Sequence, residues 1–253
     1  MSTNKRMLLF VMALLFVSVE CQVDLVSFFG DCQKTEETFD DCVKDRLNSL
    51  NGFFKSGLPD YGIAPFDPFF APEVPQKRRG PFFNYKLVLR NVTESGWTSS
   101  QVTKFKSDLN RNYIEYTQFF PEKRLNGLYE IEGTFFGNKV SNQGTWNLDL
   151  FDFLQTTKVT RKPRRNALGQ AIPNPPLKAE FYVQTTNKLK LHIGHLAGGR
   201  TIVENILDWI INTAWQPGFV VLKPLINDLV STAFTEIYNK NFQNFPFETV
   251  FPN

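Results

Sequence analysis

Residues 222–237 read LKPLINDLVSTAFTEI, and their apolar side chains recur every three or four positions. This spacing places them on one face of an α-helix. The stripe consists of Leu222, Leu225, Ile226, Leu229, Ala233, Phe234 and Ile237. A helix with one apolar face packs that face against another apolar surface. The rest of the chain must therefore supply a surface for this helix to cover.

A second apolar stripe lies just upstream, at residues 202–211. Pro217-Gly218 separates the two stripes and predicts a break or kink there. Pro224 is expected in the first turns of the second helix, where a missing backbone N–H costs least. The C-terminal third of the chain is therefore predicted to be helical.

The middle of the chain alternates apolar and polar side chains with a period of two. The alternating segments are residues 83–90, 129–135, 146–150 and 188–193. This period predicts antiparallel strands with one apolar and one hydrated face. The apolar face needs a cover, and the C-terminal helix is the natural one. We therefore predict an α+β fold in which a twisted antiparallel sheet curls around a long C-terminal helix.

Turns and loops connect the predicted strands. Asn126-Gly127 and Gly137-Asn138 have the chemistry of hairpin turns. Residues 155–176 are basic and rich in proline, so we expect a long irregular loop there. Two basic clusters, residues 77–79 and 161–165, are expected in solvated loops. The alternative for both clusters is contact with an acidic membrane, a receptor or a processing protease.

Residues 1–21 have the pattern of a secretory signal peptide. Basic residues precede an apolar run, and Val19-Glu20-Cys21 places small residues at the −3 and −1 positions. We expect cleavage before Gln22, which leaves residues 22–253 as one mature domain. The apolar run is shorter than the roughly 20 residues that span a bilayer. The sequence thus predicts an extracellular protein without stable membrane insertion.

Cysteine usage agrees with secretion. Cys21 would leave with the signal peptide, and Cys32 and Cys42 would pair because extracellular compartments are oxidising. The bridge would hold the incoming chain against a helix predicted over residues 35–55, with Thr35 as its N-cap. Asn91-Val92-Thr93 is an acceptor pattern for N-glycosylation.

Composition and motifs exclude several classes of function. The formal net charge of +3 is too small to indicate a nucleic-acid partner. The 26 phenylalanines indicate either a thick core or a cavity with apolar walls, and composition alone does not choose between them. His192 and His195 are both expected at the surface, and no nucleophile motif or metal-ligand spacing accompanies them. We therefore expect no catalytic site, no cofactor and no metal.

Several segments, in this order and spacing, resemble the juvenile hormone binding/takeout family of insects. In addition to the signal peptide and the two cysteines, they are Gly57-Leu58-Pro59, Gly62-Ile63, Asp67-Pro68, Gly127-Leu128-Tyr129-Glu130-Ile131-Glu132-Gly133, Trp146-Asn147, Lys223-Pro224, Ile237-Tyr238-Asn239-Lys240, Phe245-Pro246-Phe247 and Phe251-Pro252. The resemblance covers nearly all of the mature chain. One disulfide is more similar to the takeout branch than to the hormone-binding branch.

This resemblance implies a fold of the tubular lipid-binding type, in which a strongly curved antiparallel sheet wraps a long C-terminal helix. It also implies an internal apolar tunnel that carries a small hydrophobic ligand, such as a terpenoid hormone or a fatty-acid-like lipid. No catalysis is implied. A haemolymph setting and circadian control follow from the family as further expectations, and a cell-surface receptor would be an unidentified partner.

The family has no fixed binding motif, so the predicted ligand contacts follow from the inward facing of apolar side chains. They are Trp146, Leu148, Leu189, Leu191, Ile193, Leu222, Ile226 and Leu229. Each of them also fits an ordinary core position. Two other functions stay open at this point: a secreted lipase or esterase that uses His192 or His195, and a structural or interaction protein with a filled core.

Overall fold

The computed structural model describes residues 24–81, 83–135, 137–195, 201–245 and 250–251. The predicted signal peptide lies outside these residues. The helices of the described part are α1 (Leu25–Phe28), α2 (Phe39–Ser49), α3 (Thr201–Thr213) and α4 (Trp215–Phe242). The strands are β1 (Phe69–Arg79), β2 (Phe83–Ser95), β3 (Gln101–Asp108), β4 (Tyr113–Phe135), β5 (Asn138–Arg161), β6 (Leu177–Thr185) and β7 (Lys188–Ile193). Short 3₁₀ turns lie at Asn51–Phe54, Pro59–Tyr61 and Leu109–Arg111.

The seven strands form one antiparallel sheet with the order β1-β2-β4-β5-β6. Its centre is a hairpin of two very long strands, β4 and β5, joined at Gly137. Each long strand has two different neighbours along its length. β4 pairs first with β3 and then with β2, whereas β5 pairs first with β7 and then with β6.

Helix α4 lies against both ends of this sheet. At the β1 end, the Gln76 amide donates to Asp228 of α4 at 3.1 Å. At the other end, four side chains of α4 bind the backbone of β6. Because the first and last strands of the sheet order both reach the same helix, the sheet is curved around α4 but not closed. The predicted fold class is thereby confirmed.

The contact between α4 and β6 is a ladder of side chain to backbone hydrogen bonds. Its rungs are Asn227–Val183, Ser231–Phe181, Thr235–Ala179 and Asn239–Leu177, with amide donor distances of 3.0, 2.8, 3.0 and 2.8 Å. Four helical residues rise about 6 Å, and two strand residues rise about 6.6 Å. The two spacings match closely, so one polar stripe of the helix satisfies the free edge of the strand.

Asparagine closes other strand edges in the same way. Asn212 of α3 accepts from the Leu191 N–H and donates to the Leu191 carbonyl, at 2.8 and 3.0 Å. Asn48 of α2 does the same with Val102 of β3, at 2.7 and 3.0 Å. A carboxamide carries one acceptor and one donor group, which is what a single residue of a free strand edge requires.

Two hydrophobic clusters hold the fold together. The larger one lies between the sheet and α4 and contains Phe234, whose ring is 5.9 Å from that of Trp97. The smaller one surrounds the disulfide between Cys32 and Cys42, whose Cα atoms are 5.6 Å apart. The predicted disulfide is thereby confirmed, and it fastens the segment before α2 to that helix.

Several local predictions were wrong. Asn126-Gly127 is not a turn, because both residues pair with β5 in the middle of β4. The predicted loop from residue 155 begins only after Arg161, since β5 continues that far. Residues 77–79 lie in strand β1 instead of a loop. In each case, long-range pairing with a neighbouring strand prevailed over local sequence chemistry.

The helix boundaries also differ from the prediction. Helix α2 begins at Phe39 after Thr38, so Thr35 is not its N-cap. The C-terminal helices separate at Ala214, and Pro217 falls in the first turn of α4. Pro224 lies inside α4, which continues through it. From Asn227 to Asn239, helix α4 is bonded to β6, and this tertiary support outweighs the missing N–H.

Candidate functional site

Two strands bring five of the predicted ligand contacts together. In the pairing of β5 with β7, Trp146 lies opposite Ile193, and Leu148 lies opposite Leu191. Leu189 pairs with Leu150 in the next inward position. Pairs of this kind have neighbouring side chains on one face of the sheet. Ile226 of α4 packs on the larger hydrophobic cluster, as Leu148 and Leu191 do. Six predicted contacts are called the apolar wall: Trp146, Leu148, Leu189, Leu191, Ile193 and Ile226.

Burial increases along the apolar wall. Trp146, Leu148, Leu191 and Ile193 are half-buried, whereas Leu189 is 7 % exposed. Ile226 is also half-buried. The wall therefore leads from accessible apolar side chains to a closed end beside the larger hydrophobic cluster.

The remaining two predicted contacts are not part of this wall. Leu229 of α4 is half-buried and is not among the residues packed on the larger cluster. The side chain of Leu222 lies outside the described part of the structure.

A glycine makes room for Trp146. Gly127 is its partner across the β4–β5 pair, and a Cβ atom at Gly127 would lie 3.2 Å from Trp146 Nε1. A side chain at this position would therefore push the indole from its place. The glycine that we assigned to a turn instead fits the close approach of a large ring in a strand.

The closed end of the wall is polar. Lys123 of β4 is 3 % exposed, and its ammonium lies 2.6 Å from the Glu94 carboxylate. It also donates to the Gln155 side-chain carbonyl at 3.0 Å. Lys123, Glu94, Gln155 and the adjacent Trp97 are called the polar floor below. Burial lowers the pKa of Lys123, and the neighbouring carboxylate opposes this effect.

Aromatic rings enclose the Lys123 ammonium. Its nitrogen lies 4.3 Å from the ring centre of Phe120, 4.7 Å from that of Trp97 and 5.6 Å from that of Phe153. The negative faces of such rings attract a cation. The arrangement stabilises a charged group that would otherwise be costly in an apolar interior.

A bend in both long strands brings Gln155 to the interior. Asp152 has a positive φ of 48°, and the opposite strand has Pro121 at the same level. Leu150 is buried before the bend, and Phe153 is buried after it. The inward-facing residues of β5 therefore have even numbers before the bend and odd numbers after it. Gln155 consequently faces the core.

Two donors of the polar floor lack a partner. Gln155 Nε2 and Trp97 Nε1 are inaccessible to solvent and have no hydrogen-bond acceptor in the structure. A buried donor without a partner costs about 1–3 kcal/mol. Both lie beside the Lys123 ammonium, so the polar floor has unused capacity for an acceptor.

Comparison with known proteins assigns the family. The sequence profile described as haemolymph juvenile hormone binding protein (JHBP) matches residues 9–252. The chain belongs to this family. The resemblance seen in the sequence is thereby confirmed.

Individual relatives of this JHBP-family chain are distant. The circadian clock-controlled protein daywake of Drosophila melanogaster is 22 % identical over 248 residues, which cover 92 % of each chain. Daywake of Drosophila yakuba is 20 % identical and covers 87 % of this chain and 85 % of its own. The crystal structure of Epiphyas postvittana Takeout 1 superposes with a TM-score of 0.56 at 17 % identity, covering 80 % of this chain and 91 % of that one. This last likeness supports the takeout-like fold.

The two histidines of this JHBP-family chain lie at exposed positions. His192 Nδ1 is in close contact with Asp208 of α3, and His195 has a positive φ of 59° after β7. Within the described ranges, no three His, Cys, Asp or Glu side chains are grouped so that they could hold a metal ion. In that same part of the chain, no helix is long and apolar enough to cross a membrane.

Two surface grooves lie beside the sheet. One of about 670 Å³ lies between β1, β6 and α4, and none of the predicted contacts line it. The other, of about 400 Å³, lies beside His192 and Asp208. Leu189 and Leu191 of the apolar wall line this second groove, together with polar residues of β5, β7 and α3. Neither groove corresponds to the predicted internal tunnel.

Sequence reasoning missed the polar floor. Lys123 lies an even number of residues before Tyr129 and Ile131, so it is on the same inward face of the strand. Continuing the alternation of residues 129–135 toward the N-terminus would have predicted this position. No local signal placed Gln155, because the bend at Asp152 reverses the facing beyond it.

Proposed function

We propose that this protein is an extracellular, non-enzymatic carrier that holds a small hydrophobic ligand against the apolar wall. The observation that supports this proposal is the partial exposure of inward apolar side chains. Leu148, Leu191 and Ile226 face the interior but remain half-buried, whereas the neighbouring cluster around Phe153 is closed. Apolar surface that folding leaves uncovered is stabilised by an apolar ligand.

The ligand class follows from the wall and from the family. The wall consists of aliphatic side chains and one indole, which suits a terpenoid or a fatty-acid-like chain. The family is described by its binding of juvenile hormone. Among the described residues, no hydroxyl or thiol is hydrogen-bonded to the His192 ring, whose Nδ1 contacts Asp208. The alternative of a histidine-dependent esterase therefore has no activated nucleophile to support it.

Several features support secretion. The N-terminal pattern is that of a signal peptide, and the Cys32–Cys42 bridge is typical of oxidising compartments. Asn91 is exposed at a β-bulge in β2, where the pairing with β4 shifts. We include a glycan on Asn91 in the proposal, and the loss of mass on enzymatic deglycosylation of the secreted protein tests it.

The carrier proposal is tested by filling the site. Replacing Ile226 with Trp should place a larger ring at the cluster on which Leu148 and Leu191 pack, so binding of the neutral fluorescent probe N-phenyl-1-naphthylamine should fall about tenfold or more. If the space is free, the thermal melt should barely change. The control is Val220→Trp on the same helix, since Val220 is 70 % exposed. Mass spectrometry of an organic extract of the parent protein should also detect a bound lipid.

A different outcome would refute the carrier proposal. Overpacking of a filled core costs about 1–3 kcal/mol. A lowered melting temperature in Ile226→Trp with unchanged lipid binding, or a parent protein that binds no lipid, would mean that the apolar wall is ordinary core.

A further inference from the structure

The polar floor is an unusual feature in the interior of a hydrophobic carrier. Its two ionised groups, Lys123 and Glu94, form a pair on neighbouring strands and cancel in charge. Lys123 has a second partner in the Gln155 carbonyl. What the cluster lacks is an acceptor. Glu94 Oε1 is held by the Lys123 ammonium at 2.6 Å, whereas Gln155 Nε2 and Trp97 Nε1 are donors without a partner.

The apolar wall leads to this cluster. Lys123 lies opposite Leu150, and the next inward pair along the same strands is Leu125 with Leu148. Leu148 is half-buried, Leu150 is 6 % exposed, and Gln155 is fully buried. A chain-like ligand that lies along the wall therefore has its inner end directed at the polar floor.

We propose that the polar floor binds the polar end of the ligand, and that this end is a neutral oxygen acceptor such as an ester, a ketone or an ether. This inference rests on the proposed carrier function. The oxygen accepts hydrogen bonds from Gln155 Nε2 and Trp97 Nε1, which removes the cost of leaving two buried donors unpaired. Leu150 lies opposite Lys123, and Leu125 lies two residues further along β4, so the proposal requires one of these side chains to rotate when the ligand binds.

Charge decides between a neutral acceptor and a carboxylate. Glu94 already neutralises Lys123, so an anionic ligand would bring an uncompensated negative charge into an apolar interior. Such a charge is far more costly to bury than a neutral oxygen. The polar floor is therefore expected to select an ester over the free acid of the same chain.

The test compares three ligands of matched length: methyl tetradecanoate, tetradecanoic acid and pentadecane. Each one displaces the neutral probe N-phenyl-1-naphthylamine from the full mature protein at pH 8, where the acid is ionised. One additional buried hydrogen bond corresponds to about tenfold in affinity. The ester should therefore displace the probe at about one tenth of the concentration needed for pentadecane or tetradecanoate.

A matched pair of variants assigns the effect to the polar floor. Gln155→Leu removes the unpaired donor and should abolish the advantage of the ester while leaving the affinity for pentadecane unchanged. Gln118→Leu is the control, because Gln118 is a buried glutamine opposite Gln155 whose amide already donates to Ser100 at 2.6 Å. The control should retain the advantage. If Gln155→Leu fails to fold, Trp97→Phe serves the same purpose, since it keeps a ring and removes the N–H.

The outcomes separate this inference from the carrier function. A parent protein that binds the probe but does not distinguish the three ligands, or that prefers the acid, overturns the neutral-acceptor site and leaves the carrier standing. A preference that survives both Gln155→Leu and Trp97→Phe overturns the assignment to these residues. A parent that binds neither probe nor ligand refutes the carrier function itself.

Discussion

The ladder between α4 and β6 predicts a large difference between two threonines on the same helix. Thr235 Oγ1 accepts from the Ala179 N–H at 3.0 Å and donates to the Ala179 carbonyl at 3.1 Å. Thr232, three residues earlier, is exposed and donates only to the Asp228 carbonyl of its own helix. Replacing each with valine keeps the shape and the helical preference of the side chain and removes only the hydroxyl.

The magnitude follows from the burial of the strand edge. Ala179 is 1 % exposed, so water cannot replace the lost partner. Each buried backbone group left unpaired costs about 1–3 kcal/mol, and the two together should cost about 2–4 kcal/mol after relaxation. At about 2–4 °C per kcal/mol for a domain of this size, Thr235→Val should lower the melting temperature by about 5–15 °C. Thr232→Val should stay within about 0.5 kcal/mol of the parent.

Urea unfolding followed by circular dichroism measures the free energies of unfolding, and hydrogen exchange locates the defect. In Thr235→Val, the Ala179 amide should lose protection while the Phe181 amide, bound by Ser231 at 2.8 Å, keeps most of its own. Equal stability of the two variants, or unchanged exchange at Ala179, would show that the helix does not satisfy this strand edge.

Three further predictions concern stability and binding. Cys32→Ser with Cys42→Ser should destabilise the protein by about 3 kcal/mol, because the bridge closes a short loop; equal urea midpoints for the variant and the parent would contradict this. Burial raises the pKa of Tyr238 and Tyr116 in the folded protein. The stability that these groups contribute is therefore present below their pKa of about 10 in the unfolded chain and is lost as pH rises above it. Between pH 9 and pH 11, the free energy of unfolding should fall less in Tyr238→Phe than in the parent protein. Lipid affinity should change little between low and high salt because the proposed contacts are apolar. A steep fall in affinity at high salt would indicate that basic residues at the surface bind the lipid instead.

The alternation of apolar and polar residues predicted much of the sheet. The segments around Tyr85, Ile131, Leu148 and Leu191 are all strands, and Leu148 and Leu191 pack on the larger hydrophobic cluster. The proline-containing strand β1 was missed, since prolines usually argue against strands. Its position at the end of the sheet order explains why it tolerates them, because an edge strand leaves half of its N–H groups unpaired.

The candidate site was only half predictable. The apolar wall follows from alternation, but the polar floor depends on a bend at Asp152 that no local pattern announces. A buried lysine is also contrary to any expectation from composition, since lysines are almost never fully buried unless paired. Its partner Glu94 lies in a different strand, and only the pairing of β2 with β4 brings the two together.

The pattern of apolar and polar residues describes the packing of helix α4 only in part. Its apolar stripe was visible in the sequence, but the spacing of four between Asn227, Ser231, Thr235 and Asn239 was not used to predict a contact. In the structure this second stripe is bonded to the backbone of β6, so the helix is held on two sides. Ile226 precedes Asn227, whose side chain accepts from the Val183 N–H at 3.0 Å. That bond helps to fix the rotation of the helix about its axis, and the direction of Ile226 toward the larger hydrophobic cluster depends on this rotation.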